Sequence, residues 1–204
     1  MGPAHCPGAM GRPPQDIYEK MKSGEFGEVG AVIAPNGFHH MGVAEWRQKF
    51  PSARFFAALE TVMRVRAKNP DAGPFEPISL VSLIAGPCIG IGEVEDTNCG
   101  ETWVWVEVDG GHIWFVSDML ANLPKRPSNP VGKLLFWLTK SAPGYKIFHL
   151  GLKFIVKDKR ATLRALAAEM TQRPPTVVVP AHGQPLEGSD VAEKTDAVLV
   201  ANMG

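Results

Sequence analysis

The chain has 204 residues, and its 21 Lys and Arg are matched by 21 Asp and Glu, so its formal net charge is zero. That length suits one domain and buries roughly two-thirds or more of the surface of the unfolded chain, so no covalent staples are needed. The balanced charge offers no general basic surface for nucleic acid or an anionic membrane, so neither is an expected partner. Its 21 glycines and 18 prolines point to many turns and short elements, not to a helical bundle. Cys6, Cys88 and Cys99 are odd in number and contain no CxxC, which argues against a disulfide framework and for a reducing compartment. The first residues, MGPAHCPGAMGRPP, contain no apolar stretch of the secretory kind, and the apolar runs at 78–85 and 131–138 are too short to span a bilayer. The expected location is the cytoplasm.

Taken in order, residues 1–14 carry Gly, Pro and Ala without a hydrophobic period and are expected to be flexible, leaving 15–204 as a single domain. A helix is expected over 15–21, introduced by Pro14 and ended at Ser23-Gly24. Residues 29–34 read as a short buried strand, stopped by Pro35-Asn36-Gly37, a loop that delivers Phe38, His39 and His40. A helix over 43–50 puts Trp46 and Phe50 one turn apart on one face, and 54–57 is the next strand. This alternation predicts an α/β layering. Residues 78–85 read as a β-rich run, and Gly90-Ile91-Gly92 as a turn. Residues 101–108 form a strand of branched and aromatic residues, Asp109-Gly110-Gly111 a hairpin turn, and 112–116 the return strand. Helices are expected over 131–138 and 159–172, the second with Leu163, Leu166 and Met170 on one face, and the loops 122–130 and 140–146 flank the first. A last buried strand over 176–180 delivers Ala181, His182 and Gly183.

Of six histidines, His39, His40 and His182 share a context: each follows an apolar strand and a proline, at the start of a loop. Asp118 stands at the same kind of place after 113–116. In layered α/β folds, loops beyond strand ends aim side chains at one point, and imidazole with carboxylate suits zinc or iron. Spacing alone leaves a second reading open, since a tandem His-His is often a loop pair with no ligand role. His5 is expected to be solvated, His112 to sit on the surface of the hairpin and His149 to be a satisfied core histidine. Trp103, Trp105 and Trp114 read first as packing, and the basic stretch 153–164 as a solvated helix face. No GxxxxGK[ST] phosphate loop is present.

Four segments, in order, resemble the metallo-β-lactamase superfamily. VIAPNGFHHMG (32–42) resembles the strand and loop that carry HxHxDH, and TNCGET (97–102) the HTPG(S/E) turn. IWFVSD (113–118) resembles the strand ending in the bridging aspartate, and VVPAHG (178–183) the last strand with its terminal histidine. The PNxxHH form, followed by a Trp-bearing helix and FPxA at 50–53, is most similar to the uncharacterised DUF4336-type branch. The resemblance implies an α/β, metallo-β-lactamase-like αββα sandwich. The superfamily fold begins with a β-hairpin, and no strand-like segment precedes Gln15, so the fold is expected to be shortened at its N-terminus, with an unpaired sheet edge or a truncated gene start. Placing His40 on the last histidine of HxHxDH puts His39 at the aspartate, and Gly37 and Pro35 at the first two histidines. Thr97 takes the place of the HTPG histidine. The three absent histidines form the superfamily's first metal site, whereas the second is represented by His39, His40, Asp118 and His182. The resemblance therefore implies one divalent metal at most, zinc first and iron second. Asp96 and Cys99, on the HTPG-like turn, are candidate side ligands.

Three readings follow. The first is a metal-dependent hydrolase of an ester, lactone, thioester or phosphodiester in a small-molecule substrate, with Asp118 as the catalytic residue that orients water or acts as base. The second is a non-catalytic member that binds a small molecule or partner. The third is oxygen or redox chemistry at a single iron.

Overall fold

The protein is described here by a computed structural model covering residues 15–25 and 27–204. The flexible segment expected at 1–14 lies outside the described residues. The chain opens with α1 (Gln15–Lys22), β1 (Ala31–Ala34), α2 (Val43–Lys49), β2 (Arg54–Ala57) and α3 (Leu59–Lys68), followed by β3 (Glu76–Pro77). A run of strands comes next: β4 (Ile89–Glu93), β5 (Thr102–Val108), β6 (Gly111–Phe115) and β7 (Leu120–Leu123). The last part alternates: α4 (Pro130–Leu138), β8 (Gly144–Ile147), α5 (His149–Ile155), α6 (Lys159–Gln172), β9 (Pro175–Val179), β10 (His182–Gly183), β11 (Leu186–Glu187) and α7 (Val191–Val200).

The strands form three sheets. The largest has the order β11-β9-β6-β5-β4, the second is β1-β2-β3, and the third is β10-β7-β8. In the five-stranded sheet, β4-β5-β6 is an antiparallel meander whose last turn is the Asp-Gly-Gly hairpin, and β9 returns parallel to β6. The second sheet is parallel throughout and packs Phe55 and Ala57 with Val65 of α3 and with Val43 and Phe50 of the α2 region. The largest core cluster joins the five-stranded sheet to α5, α6 and α7, through Trp103, Trp114, Val178, Leu152, Leu163, Leu166 and Leu199. Helix α6 begins where Asp158 caps the Ala161 amide at 2.9 Å, and the predicted trio Leu163, Leu166 and Met170 is buried. The tryptophans are packing residues: the Trp103 indole donates to Glu169 and that of Trp114 to the Arg173 carbonyl, so each buried ring keeps its N–H satisfied.

Two sequence expectations are corrected. Residues 78–83 form a 3-10 helix, not a strand. Ile78 and Val81, three apart, are both buried while Leu83 is exposed, so the burial follows a period of three, not the alternation a strand imposes. Gly90-Ile91-Gly92 belongs to β4 and is not a turn. There the glycines face Trp105 and Trp103 across the β4–β5 ladder, and the indoles lie over the space that side chains would occupy. The loops expected at 122–130 and 140–146 contain the end of β7 and most of β8, which pair with each other. Helices α3 and α7, absent from the sequence reading, complete the layers.

A methyl group on Gly92 would fall inside the Trp103 ring, which is fully packed. Gly92→Ala is therefore expected to cost about 1–3 kcal/mol, as overpacking typically does. Urea unfolding followed by tryptophan emission measures this, and an unchanged midpoint would show that the indole has room to move.

Candidate metal centre

Register brings the site together. Phe115 at the end of β6 is paired with Val179 at the end of the parallel strand β9. Asp118 and His182 each lie three residues beyond that pair, so the two side chains emerge side by side. The crossing is held by the Ala181 amide on the Ser117 carbonyl at 2.9 Å and by pairing of His182 with Ala121. On the other side, β5 runs antiparallel to β6 with Val104 opposite Phe115. Three steps further along the same register, Glu101 comes opposite Asp118. The loop after β1 is pinned to this corner by the Gly37 amide on the Cys99 carbonyl (2.8 Å) and the Thr102 hydroxyl on the Pro35 carbonyl (3.1 Å). That loop carries Asn36 and His39 in.

Asp118 is almost completely buried. Its Oδ2 accepts from Asn36 Nδ2 at 3.0 Å and lies 3.0 Å from His39 Nε2. Its Oδ1 lies 2.9 Å from His182 Nε2, but the ring nitrogen is out of line for a hydrogen bond, so Oδ1 is a buried acceptor without an aligned donor. Donor atoms of His39, Asp118 and His182 lie within 4.8 Å of one another. The rings of His39 and His182 are 5.8 Å apart, and Phe148 backs His182 at 4.9 Å. Burial opposes ionisation of Asp118, yet the nitrogens of His182 and His39 outweigh it and hold the carboxyl well below the usual range. Ser117, just before it, has a left-handed backbone (φ 45°), strained for a non-glycine residue and placed where it turns Asp118 inward.

Glu101, on the HTPG(S/E)-like turn, and Asn36, in the PNxxHH loop, have no role assigned from the sequence, yet they anchor this corner. Both are fully buried. Glu101 Oε1 accepts from the Asp118 amide at 3.0 Å and its Oε2 from Asn36 Nδ2 at 2.8 Å. The Asn36 amide thus donates to both carboxylates, while its Oδ1 accepts from the Phe38 amide at 2.9 Å. Burial first, and the adjacent Asp118 charge second, push the Glu101 carboxyl well above its ordinary range. The two carboxyls are thus pushed in opposite directions, Asp118 down and Glu101 up. The signal for Glu101 lay in the register, which becomes usable only once the hairpin is aligned; Asn36 read as a turn residue.

Of the residues expected from sequence, His39, Asp118 and His182 meet, and His40 points elsewhere. It is nearly buried, its Nδ1 has no hydrogen-bond partner, and its carbonyl accepts from Asn69. Burial and the neighbouring Arg64 charge lower its pKa, favouring neutral imidazole. Gly37 has no room for a side chain, because Arg64 lies against it and stacks on Phe38 at 4.0 Å. Thr97 caps the Gly100 amide at 2.8 Å. Asp96 points to solvent and pairs with Lys157, and Cys99 lies in the core with its thiol pushed up to about 11 by burial, so neither faces the three donors as a side ligand. His112 is half-buried, edge-on to Trp105 at 5.9 Å, and His149 opens α5 with its Nδ1 3.2 Å from Lys159.

Removing the Glu101 carboxyl orphans the buried Asp118 amide, at about 1–3 kcal/mol, while Asn36 Nδ2 keeps Asp118 Oδ2 and Ser117 Oγ as acceptors. Glu101→Ala is expected to lower urea stability by about 1–3 kcal/mol, and Glu101→Gln, which keeps an acceptor for the Asp118 amide, by less. Equal losses in the two variants would show that the Asp118 amide does not depend on this side chain. A second expectation concerns thiols: at mildly alkaline pH a disulfide reagent modifies exposed Cys88 but leaves Cys99 intact until the chain unfolds, which peptide mapping reads directly.

No family in a scan of known protein families matches the chain, and no curated protein matches it. Solved structures do. The chain is similar to the crystal structure of DIM-1 metallo-beta-lactamase, with a TM-score of 0.52, 13% identity, and 92% of this chain covering 76% of that one. A second structure of that enzyme, exposed to ceftazidime, gives 0.50 at 10% identity, with 92% of this chain and 74% of that one covered. The fold is therefore metallo-β-lactamase-like.

Proposed function

We propose that this chain is a metal-dependent hydrolase of the metallo-β-lactamase superfamily, close to its DUF4336-type branch, that holds one divalent metal at most. The observation that carries the reading is the buried Asp118 carboxylate: two imidazole nitrogens flank it, and one oxygen lacks an aligned hydrogen-bond donor. Two imidazoles and a carboxylate are a donor set suited to zinc, with iron as the second choice. His39, Asp118 and His182 would hold the metal. A metal bound there polarises a carbonyl or phosphoryl oxygen and lowers the pKa of water. The rest is work for the chain itself. Asn36 keeps Oδ2 hydrogen-bonded, which leaves Oδ1 as the oxygen that would face the metal and orient a water beside it. Glu101 fixes the Asp118 backbone.

A single metal is supported by what replaces the other half of the superfamily's site. Pro35 and Gly37 offer no ligand, the Thr97 hydroxyl is engaged in its turn, and Arg64 occupies the space beside Gly37 with a positive charge. The same loss favours the alternative of a non-catalytic member that binds a small molecule in this corner. The bond cleaved in the hydrolase reading is an ester, lactone, thioester or phosphodiester.

Elemental analysis of the purified protein after zinc loading is expected to give about one metal per chain, in line with three protein ligands. Asp118→Ala, His182→Ala and His39→Ala should each remove most of it, together with any hydrolysis of a generic ester or phosphodiester, while His112→Ala changes neither. Two ions per chain would overturn the single-metal reading. Stoichiometric metal without hydrolysis of any of the four bond types would favour the binding protein.

A further inference from the structure

Helix α4 is apolar and yet unburied. Its sequence is PVGKLLFWL, and none of its residues is buried. Val131, Leu134, Leu135, Trp137 and Leu138 are all exposed, between 43% and 69%, and Phe154 of α5 adds another exposed ring at 57%. Only a narrow stripe of Gly132, Phe136 and Thr139 is half-buried, with Phe136 stacked on Phe148 at 5.8 Å. The helix is nonetheless well made: Pro130 occupies its first turn and Asn129 caps the Gly132 amide at 2.6 Å. An apolar helix that stands out from its own domain marks an interaction surface.

The charge around it says which kind. Between Asp118 and Asp158 the chain has no acidic residue and seven basic ones: Lys125, Arg126, Lys133, Lys140, Lys146, Lys153 and Lys157. A third of all the basic residues therefore falls in this segment, and the rest of the chain is net acidic by the same amount. The zero net charge hides a segregation. Lys125, Arg126 and Lys133 line one depression of about 450 Å³ at the N-terminal end of α4, walled by Pro124, Pro127 and Pro143. Among the described residues, Lys157 alone of the seven has an acidic partner, Asp96.

We infer that α4 docks this protein flat on an anionic lipid surface, with a lipid headgroup phosphate in the Lys125-Arg126-Lys133 depression. Nucleic acid would use the cations but has no need of five exposed aliphatic and aromatic side chains on one helix. A second copy of the chain would bring its own cluster of cations against this one. An anionic bilayer matches both features: its interface takes the apolar ridge, its headgroups take the lysines, and Trp137 sits at the depth that tryptophan favours. No helix among the described residues is long and apolar enough to cross a membrane, and α4 at nine residues is about 13.5 Å long, a length for lying in the interface. This revises the expectation, drawn from net charge, that no membrane is involved.

The helix also adjoins the candidate metal centre, since Phe136 touches Phe148 and Phe148 touches His182. Docking would bring the rim of that corner to the lipid surface. Resting on the hydrolase reading, the substrate class then narrows to an amphiphilic ester or phosphodiester presented at a membrane.

The test uses the full chain and needs neither metal nor turnover, so its failure is separable from that of the hydrolase reading. Co-sedimentation with phosphatidylcholine vesicles is compared with vesicles that also contain phosphatidylglycerol, at low and high salt. The expected result is binding to the anionic vesicles only, weakened by salt. Leu134→Glu/Trp137→Glu should weaken it by roughly tenfold or more, and Lys125→Glu/Lys133→Glu by about as much. The substitutions are on exposed positions, and matched thermal melts show that the fold is intact. Three outcomes overturn the proposal: no binding to either vesicle, binding that survives Leu134→Glu/Trp137→Glu, or a dimer dispersed by those substitutions with no vesicle binding.

Discussion

A charged carboxylate taken out of water costs several kcal/mol unless its partners make up the loss, and the arrangement around Asp118 is organised by that cost. Two imidazoles stand on its outer side, an amide from Asn36 on its inner side, and its backbone N–H is held by Glu101. These partners come from three separate stretches of chain, so the parallel pairing of β6 with β9, the β5–β6 hairpin and the loop after β1 must all be in place before Asp118 is satisfied. The strained Ser117 backbone and the left-handed glycine at 183, whose Cβ would strike the Asn122 carbonyl, belong to the same constraint.

Two carboxyl groups bridged by one amide divide their roles by environment. Burial and the neighbouring Asp118 charge push the Glu101 carboxyl up. Asp118 faces the imidazoles, which hold its carboxyl down. Arg64 puts a positive charge beside Gly37 and His40, on the other side of the loop after β1.

Stability and interaction are also divided spatially. The sheet, α6 and α7 hold the large core, with tryptophans fitted over glycines at 90 and 92. The stretch from β7 to α5 contributes Leu120, Ile147, Leu152 and Ile155 to that core but leaves α4 outside it. Such a helix gains little from its own domain, and the sequence has filled it with the residues an interface takes up.

Much of this was legible in the linear chain. Local rules named α2, β2, the hairpin, α4 and α6 within a residue or two, because each has its own period, cap or turn dipeptide. The strand-then-loop context of His39, Asp118 and His182 marked out the three side chains that the fold brings together. Only tertiary structure decided the rest. A short apolar run such as 78–83 fits strand or helix equally until its neighbours choose the period, and Gly-Ile-Gly looks like a turn until two indoles lie across it. The direction of His40, adjacent in sequence to His39, depends on a loop conformation that no spacing reveals. Glu101 and Asn36 mattered only when distant segments closed around Asp118. The exposure of α4 was invisible because an apolar helix reads as core, and an evenly balanced total charge conceals where the charges lie. What the sequence alone determines is which side chains can do chemistry; which of them face one another depends on contacts between segments far apart in the chain.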